Sequence, residues 1–131
     1  MAAPRILSIC YEPVLQSLRA AVLQTHGYVV TCAASQKDAL ELLARDAADC
    51  VVLGFTLSAE EQMMFIRHAK QCSSKPPILA MSRNSEVVRL ASAGIDPLEG
   101  PAQLLAAVAE LLAAPAKEPK VRVKSRSAAG R

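Results

Sequence analysis

Four cysteines, two histidines and a scatter of carboxylates are the residues of this sequence with the types to carry chemistry. Cys10, Cys32, Cys50 and Cys72 form no C-x-x-C pair, and neither His26 nor His68 stands at a metal-ligand spacing. The thiols read as small buried hydrophobes in a reducing compartment. A redox pair among Cys10, Cys32 and Cys50 is the sharper reading of the same residues. Both histidines lack an acid or nucleophile nearby in sequence and read as surface or cap residues. Gly27, Gly54, Gly94 and Gly100 spell neither a dinucleotide fingerprint nor a phosphate loop. No acid, base and nucleophile converge, so no catalytic residue, no metal and no cofactor is expected, and the chain is read as a binding module rather than an enzyme.

The elements that must position these residues are legible from apolar patterning. Arg5-Ile6-Leu7-Ser8-Ile9-Cys10 is a short continuous apolar run, as a strand covered on both faces would be. Pro13 suits the first turn of a helix whose apolar side is Val14, Leu15, Leu18, Ala21, Val22 and Leu23. Gln16, Arg19 and Gln24 fall on its other face. Gly27 closes that helix. Tyr28–Ala33 is β-branched and predicts a second strand. Ser35 caps a helix from Gln36 to Asp46. Cys50–Leu53 is a third strand, and Ser58 with Glu61 forms a capping box for a helix ending near Cys72. Met63, Met64 and Phe65 on that helix read as core. Ile78–Met81 is a fourth strand, Ser85–Ala93 a weak helix closed by Gly94, and Ile95–Leu98 a short fifth strand. Pro101 opens a last helix that runs to Ala113.

Five β-α units predict a doubly wound, flavodoxin-like three-layer α/β fold, its parallel sheet ordered 2-1-3-4-5. Ligands of such sheets bind past the carboxyl ends of the strands, so chemistry belongs just after Cys10, Leu53 and Met81.

The chain has 131 residues and a net charge of +3. From Pro115 onward there are six Lys or Arg and one Glu, whereas the preceding 114 residues carry nine basic and eleven acidic side chains. The basicity belongs to the tail. Residues 4–114 are expected to form one domain and 115–131 a disordered basic tail. No signal peptide or membrane-spanning run is visible, which predicts a cytoplasmic protein without membrane contact. Scarce aromatics argue against base stacking.

The order of these phrases resembles the receiver domain of bacterial response regulators over about Arg5 to Ala113. The phrases are Ile6-Leu7-Ser8-Ile9, Gly27 to Ser35, Ala39-Leu40-Glu41-Leu42-Leu43, Asp49 to Leu53, Pro77 to Ser82, Ala93-Gly94-Ile95-Asp96 and the closing Pro101. Receivers hold Mg²⁺ on acidic residues after strand one and accept a phosphoryl group on an aspartate ending strand three. A Ser or Thr after strand four and a Lys after strand five bind the phosphoryl oxygens. Carried onto this sequence, the acidic pair falls on Cys10 and Tyr11, the phosphoacceptor on Gly54, the hydroxyl on Ser82 and the Lys on Gly100. Only Ser82 keeps its type, and glycine offers no nucleophile. Glu12 and Asp49 are nearby carboxylates, neither of them on the acceptor position, with Glu12 a candidate for a weak cation site.

The resemblance implies a pseudo-receiver that works without phosphorylation, as a protein-interaction domain of a two-component or phosphorelay pathway. Its partners would be proteins, with a homodimer among the forms of that contact. Two rival expectations are a small-molecule or redox sensor using Cys10, Tyr11 and Gly54 as an emptied crevice, and a nucleic-acid-binding accessory acting through the basic tail.

Overall fold

The computed structural model describes residues 3–45 and 48–113; the basic tail and Asp46, where the second helix was expected to stop, lie outside them. Ten elements alternate: β1 (Arg5–Ile9), α1 (Pro13–Thr25), β2 (Val29–Ala33), α2 (Gln36–Ala44), β3 (Cys50–Leu53), α3 (Ala59–Gln71), β4 (Ile78–Met81), α4 (Ser85–Leu90), β5 (Ala93–Ile95) and α5 (Pro101–Ala113). The five strands form one parallel sheet in the order β2-β1-β3-β4-β5. This is the expected doubly wound topology. No helix among the described residues is long and apolar enough to cross a membrane.

The alternation of side chains along the strands sorts the core into two layers. Leu7, Ile9, Val51, Leu53, Ile78 and Ala80 point to one face and pack with Leu43 of α2, Phe65 and Ile66 of α3 and Val87 of α4. Ile6, Cys50, Val52, Leu79 and Met81 point to the other, against Leu23 of α1 and Leu104 and Val108 of α5. Central β3 is buried at every position, as a strand covered on both faces must be. Gly54, the next residue after Leu53, therefore turns toward the α1 and α5 side.

Two elements differ from the sequence expectation. Helix α4 stops at Leu90 rather than Ala93, and β5 is Ala93–Ile95 rather than Ile95–Leu98. Gly94 thus sits inside β5 instead of capping a helix. The reason is the close approach of α4: a Cβ at Gly94 would stand 2.9 Å from both γ carbons of Val88.

The third difference concerns α1. Its buried side chains are Gln16, Arg19, Ala20 and Leu23, while Val14 and Leu18 are 64% and 61% exposed. Gln16 and Arg19 of the expected polar face are turned inward, Gln24 stays exposed, and part of the apolar stripe faces outward. The cause lies at the carboxyl edge of the sheet, where strand-end carbonyls require donors.

Candidate functional site

At the carboxyl edge of the sheet two buried glutamines bond to backbone carbonyls at the ends of the strands. The two N–H groups of Gln16 Nε2 are shared among the carbonyls of Ser8 (3.0 Å), Cys10 (3.3 Å) and Ala33 (3.1 Å), joining the ends of β1 and β2. Its Oε1 accepts from the buried Ser8 hydroxyl at 2.6 Å. Gln62 Nε2 donates to the carbonyls of Gly54 (3.1 Å) and Met81 (3.2 Å), joining β3 and β4. Each glutamine satisfies several polar groups that burial would otherwise penalise by about 1–3 kcal/mol apiece.

Gly54 lies between these clamps, buried, with its N–H on the Ile9 carbonyl at 2.9 Å. A Cβ there would stand 3.2 Å from Arg19 Nη1, from Cys10 Cβ and from the Ile9 carbonyl oxygen. The guanidinium of α1 therefore covers the end of β3. Arg19 is only 7% exposed, and its Nη1 is buried without a hydrogen-bond partner among the described residues.

The five residues singled out by sequence all lie past the carboxyl ends of the strands or at the start of α5, but they do not form one crevice. Cys10 is buried beside Gly54, its Sγ 3.6 Å from the Glu12 carbonyl and 3.7 Å from Thr56 Oγ1. Tyr11 is half-buried, with its hydroxyl close to the Glu61 carboxylate. Burial, followed by the nearby Glu61 carboxylate, pushes this phenol up to about 12. Ser82 Oγ accepts from the Asn84 N–H at 3.0 Å and so shapes the loop into α4. Gly100 is exposed and supplies the carbonyl that receives the first N–H groups of α5. Around α1 the space divides in two. A hollow of about 430 Å³ between α1 and β2 is bordered by Cys10, Tyr11, Gln16 and Cys32. A groove of about 230 Å³ between α1 and the start of α5 is bordered by Leu18, Arg19, Phe55, Glu99 and Gly100.

Glu12 and Asp49 are engaged elsewhere. Glu12 Oε1 caps α1, accepting from the N–H groups of Val14 (3.0 Å) and Leu15 (3.2 Å). Asp49 sits at the opposite, amino end of β3, where Arg5 donates to it from its backbone N–H at 2.7 Å and its guanidinium at 3.2 Å. Those hydrogen bonds hold its carboxyl below the ordinary value of 3.8. Asp49 is therefore no part of the crevice. Among the described residues no three His, Cys, Asp or Glu side chains group as a metal site. A hard divalent cation needs clustered oxygen ligands. The end of β3 offers a glycine under a guanidinium instead, which does not fit one.

The cysteines do not converge either. Cys32 pairs with Ser8 and Cys50 with Ile6, so both are offset along the sheet from Cys10. Two residues of rise across adjacent strands separate the Cα atoms of Cys10 and Cys32 by about 8 Å, beyond the ~7 Å limit for a bridge without backbone movement. Burial, then Asp49, pushes the Cys50 thiol up to about 12, which leaves it inert. Cys72 donates to the Leu43 carbonyl at 3.2 Å, and His26 Nδ1 lies 3.1 Å from the Val22 carbonyl at the end of α1.

Sequence reasoning missed Gln16, Gln62 and Arg19. A polar residue on a helix defaults to solvent. The signal available was Ser8 within an otherwise apolar strand, since a buried hydroxyl demands a polar partner from the helix above it.

No protein-family model and no curated protein matches the sequence. Solved structures do. The receiver domain of the sensor histidine kinase PA1611 from Pseudomonas aeruginosa, with a magnesium ion in its active-site cleft, superposes with a TM-score of 0.72 at 20% identity, over 86% of this chain and 100% of that one. A putative response regulator from Chloroflexus aurantiacus gives 0.74 at 19% identity, over 86% and 99%. The chemotaxis protein CheY4 of Vibrio cholerae gives 0.72 at 18% identity, over 84% and 99%. The chain has the receiver-domain fold.

Proposed function

We propose that this chain is a phosphorylation-independent pseudo-receiver, a cytoplasmic protein-interaction domain of a two-component-type pathway with no catalytic step of its own. One observation carries the reading: the end of β3 is Gly54, covered by the Arg19 guanidinium. Phosphoryl transfer to a receiver needs a carboxylate nucleophile beside a bound cation. Here the nucleophile is missing, and a fixed positive charge stands where a cation would have to enter. The strand-end carbonyls of Gly54 and Met81 are occupied by Gln62. Meanwhile the fold is intact, and α1 presents Val14 and Leu18 to solvent, apolar side chains suited to a protein contact.

The test is incubation of the protein with acetyl phosphate and Mg²⁺, followed by intact-mass measurement, with Mg²⁺ affinity determined in parallel. The expected outcome is unchanged mass and no binding beyond weak surface association. A phosphoryl adduct on any residue of the described domain, or tight Mg²⁺ binding, overturns the reading.

A further inference from the structure

A buried guanidinium with an unsatisfied N–H is a costly feature, and ordinary cores avoid it. Arg19 is over nine-tenths buried, and among the described residues its Nη1 has no partner and no carboxylate forms an ion pair with it. It also borders the groove between α1 and the start of α5, whose volume is about 230 Å³. The rest of that groove is mainly aliphatic and aromatic: Leu15, Leu18 and Val22 from α1, Phe55 after β3, and Leu104 of α5. Leu18 and Phe55 are 61% and 40% exposed, and Leu98, between the groove residues Pro97 and Glu99, is 82% exposed. A largely apolar cleft bordered by a few charged groups, here Arg19 and Glu99, is the usual make-up of a small-ligand site.

We infer that this groove binds a small organic monocarboxylate, its carboxylate on the Arg19 guanidinium and its apolar body against Leu18, Phe55 and Leu104. Three features select that class. The guanidinium is a planar fork of donors matched to a carboxylate. Among the described residues the only other charged one on the groove is Glu99. It opposes a second negative charge and so disfavours phosphate and dicarboxylates. The volume falls below the ~300 Å³ at which pockets for drug-sized ligands begin, which limits the apolar body to a short chain or one ring. The chain's own tail has the wrong sign, with six basic residues and one acidic one from Pro115 onward. The site does not depend on the pseudo-receiver reading.

The experiment is a two-dimensional amide NMR titration of the full chain with hexanoate and with phenylacetate, each beside its neutral amide, and with inorganic phosphate. Both carboxylates are expected to shift the amides of Leu18, Arg19, Gly54, Phe55 and Gly100, and the neutral amides to bind about tenfold more weakly or worse. Arg19→Met is expected to keep the fold and lose the preference for the charged form. Leu18→Ala, on the exposed rim, is expected to weaken both acids without loss of stability. The inference is overturned if neither acid shifts those amides at millimolar concentration, if acid and amide bind alike, if the preference survives Arg19→Met, or if phosphate binds more tightly than the acids. It is equally overturned if the groove is found to take only an acidic side chain of a partner protein. None of these results bears on whether the protein accepts a phosphoryl group, so the two readings fail separately.

Discussion

At the scale of single residues, the end of β3 shows how the absence of a side chain shapes its surroundings. With no side chain on Gly54, Arg19 has room to lie across the sheet edge; with a side chain there, the two would compete for the same space. Gly54→Ala places a Cβ 3.2 Å from a carbonyl oxygen and a neighbouring Cβ that have little freedom to retreat. It is expected to destabilise the fold by about 1–3 kcal/mol. Gly54→Asp brings the same crowding but adds a carboxylate within reach of the unpaired guanidinium. Its loss should be smaller than that of the alanine variant at neutral pH, because a buried cation gains its counter-ion. Urea denaturation of the two variants at neutral pH checks the order. If the aspartate variant is the less stable of the two, Arg19 is not poised over Gly54 as described. Even the better-tolerated variant is expected to stay unphosphorylated, since its carboxylate would face an arginine in place of a metal.

At the scale of elements, α4 and β5 are the reduced part of the fold, at six and three residues. Their packing turns on Gly94 and Val88. A Cβ at Gly94 would meet both γ carbons of Val88 at 2.9 Å, and a valine on a helix has little rotamer freedom with which to move aside. Gly94→Ala is expected to cost about 1–3 kcal/mol by pushing α4 off the sheet. Val88→Ala in the same chain should restore most of that loss, and a double-mutant cycle measures the coupling. Additive costs would show that the strain lies elsewhere. This pair also marks the limit of what the sequence revealed. The strands at Cys50–Leu53 and Ile78–Met81, the capping box of α3 and the five-strand order followed from apolar runs and cap residues. Gly94 was read as a helix stop because glycine more often ends a helix than lets one lie flat on a strand. The same limit applies to α1, where periodicity alone could not orient the helix. Which face turns inward depended on the strand-end carbonyls and the void at Gly54, and both are properties of the assembled sheet.

At the scale of the whole molecule, polar side chains tie neighbouring strands together at their ends. Gln16 joins β1 to β2 and Gln62 joins β3 to β4 at the carboxyl edge, and both are neutral and buried. The tie at the amino edge, between Arg5 of β1 and Asp49 before β3, is ionic and half-exposed. The buried ties of the carboxyl edge therefore do not titrate, and acid should act on the exposed ion pairs, Arg83 with Asp96 just past β4 and β5 and Arg5 with Asp49 at the amino edge. Asp49 has its carboxyl lowered by its hydrogen bonds to Arg5. A depressed carboxylate contributes stability that is fully present above its unfolded value, near 3.8, and is lost as pH falls through the lower folded value. Because both side chains are more than a third exposed, solvent screening limits the contribution to at most about 1 kcal/mol. Asp49→Asn is accordingly expected to lower stability by no more than that at pH 7, and to differ little from the parent once Asp49 itself is protonated. Urea denaturation at neutral and strongly acid pH measures both. The same variant should leave the Gly54–Arg19 region unperturbed, because five residues of strand, on the order of 16 Å, separate the two ends. A penalty that persists unchanged in acid would mean that Asp49 acts through packing at the start of β3 and not through its charge.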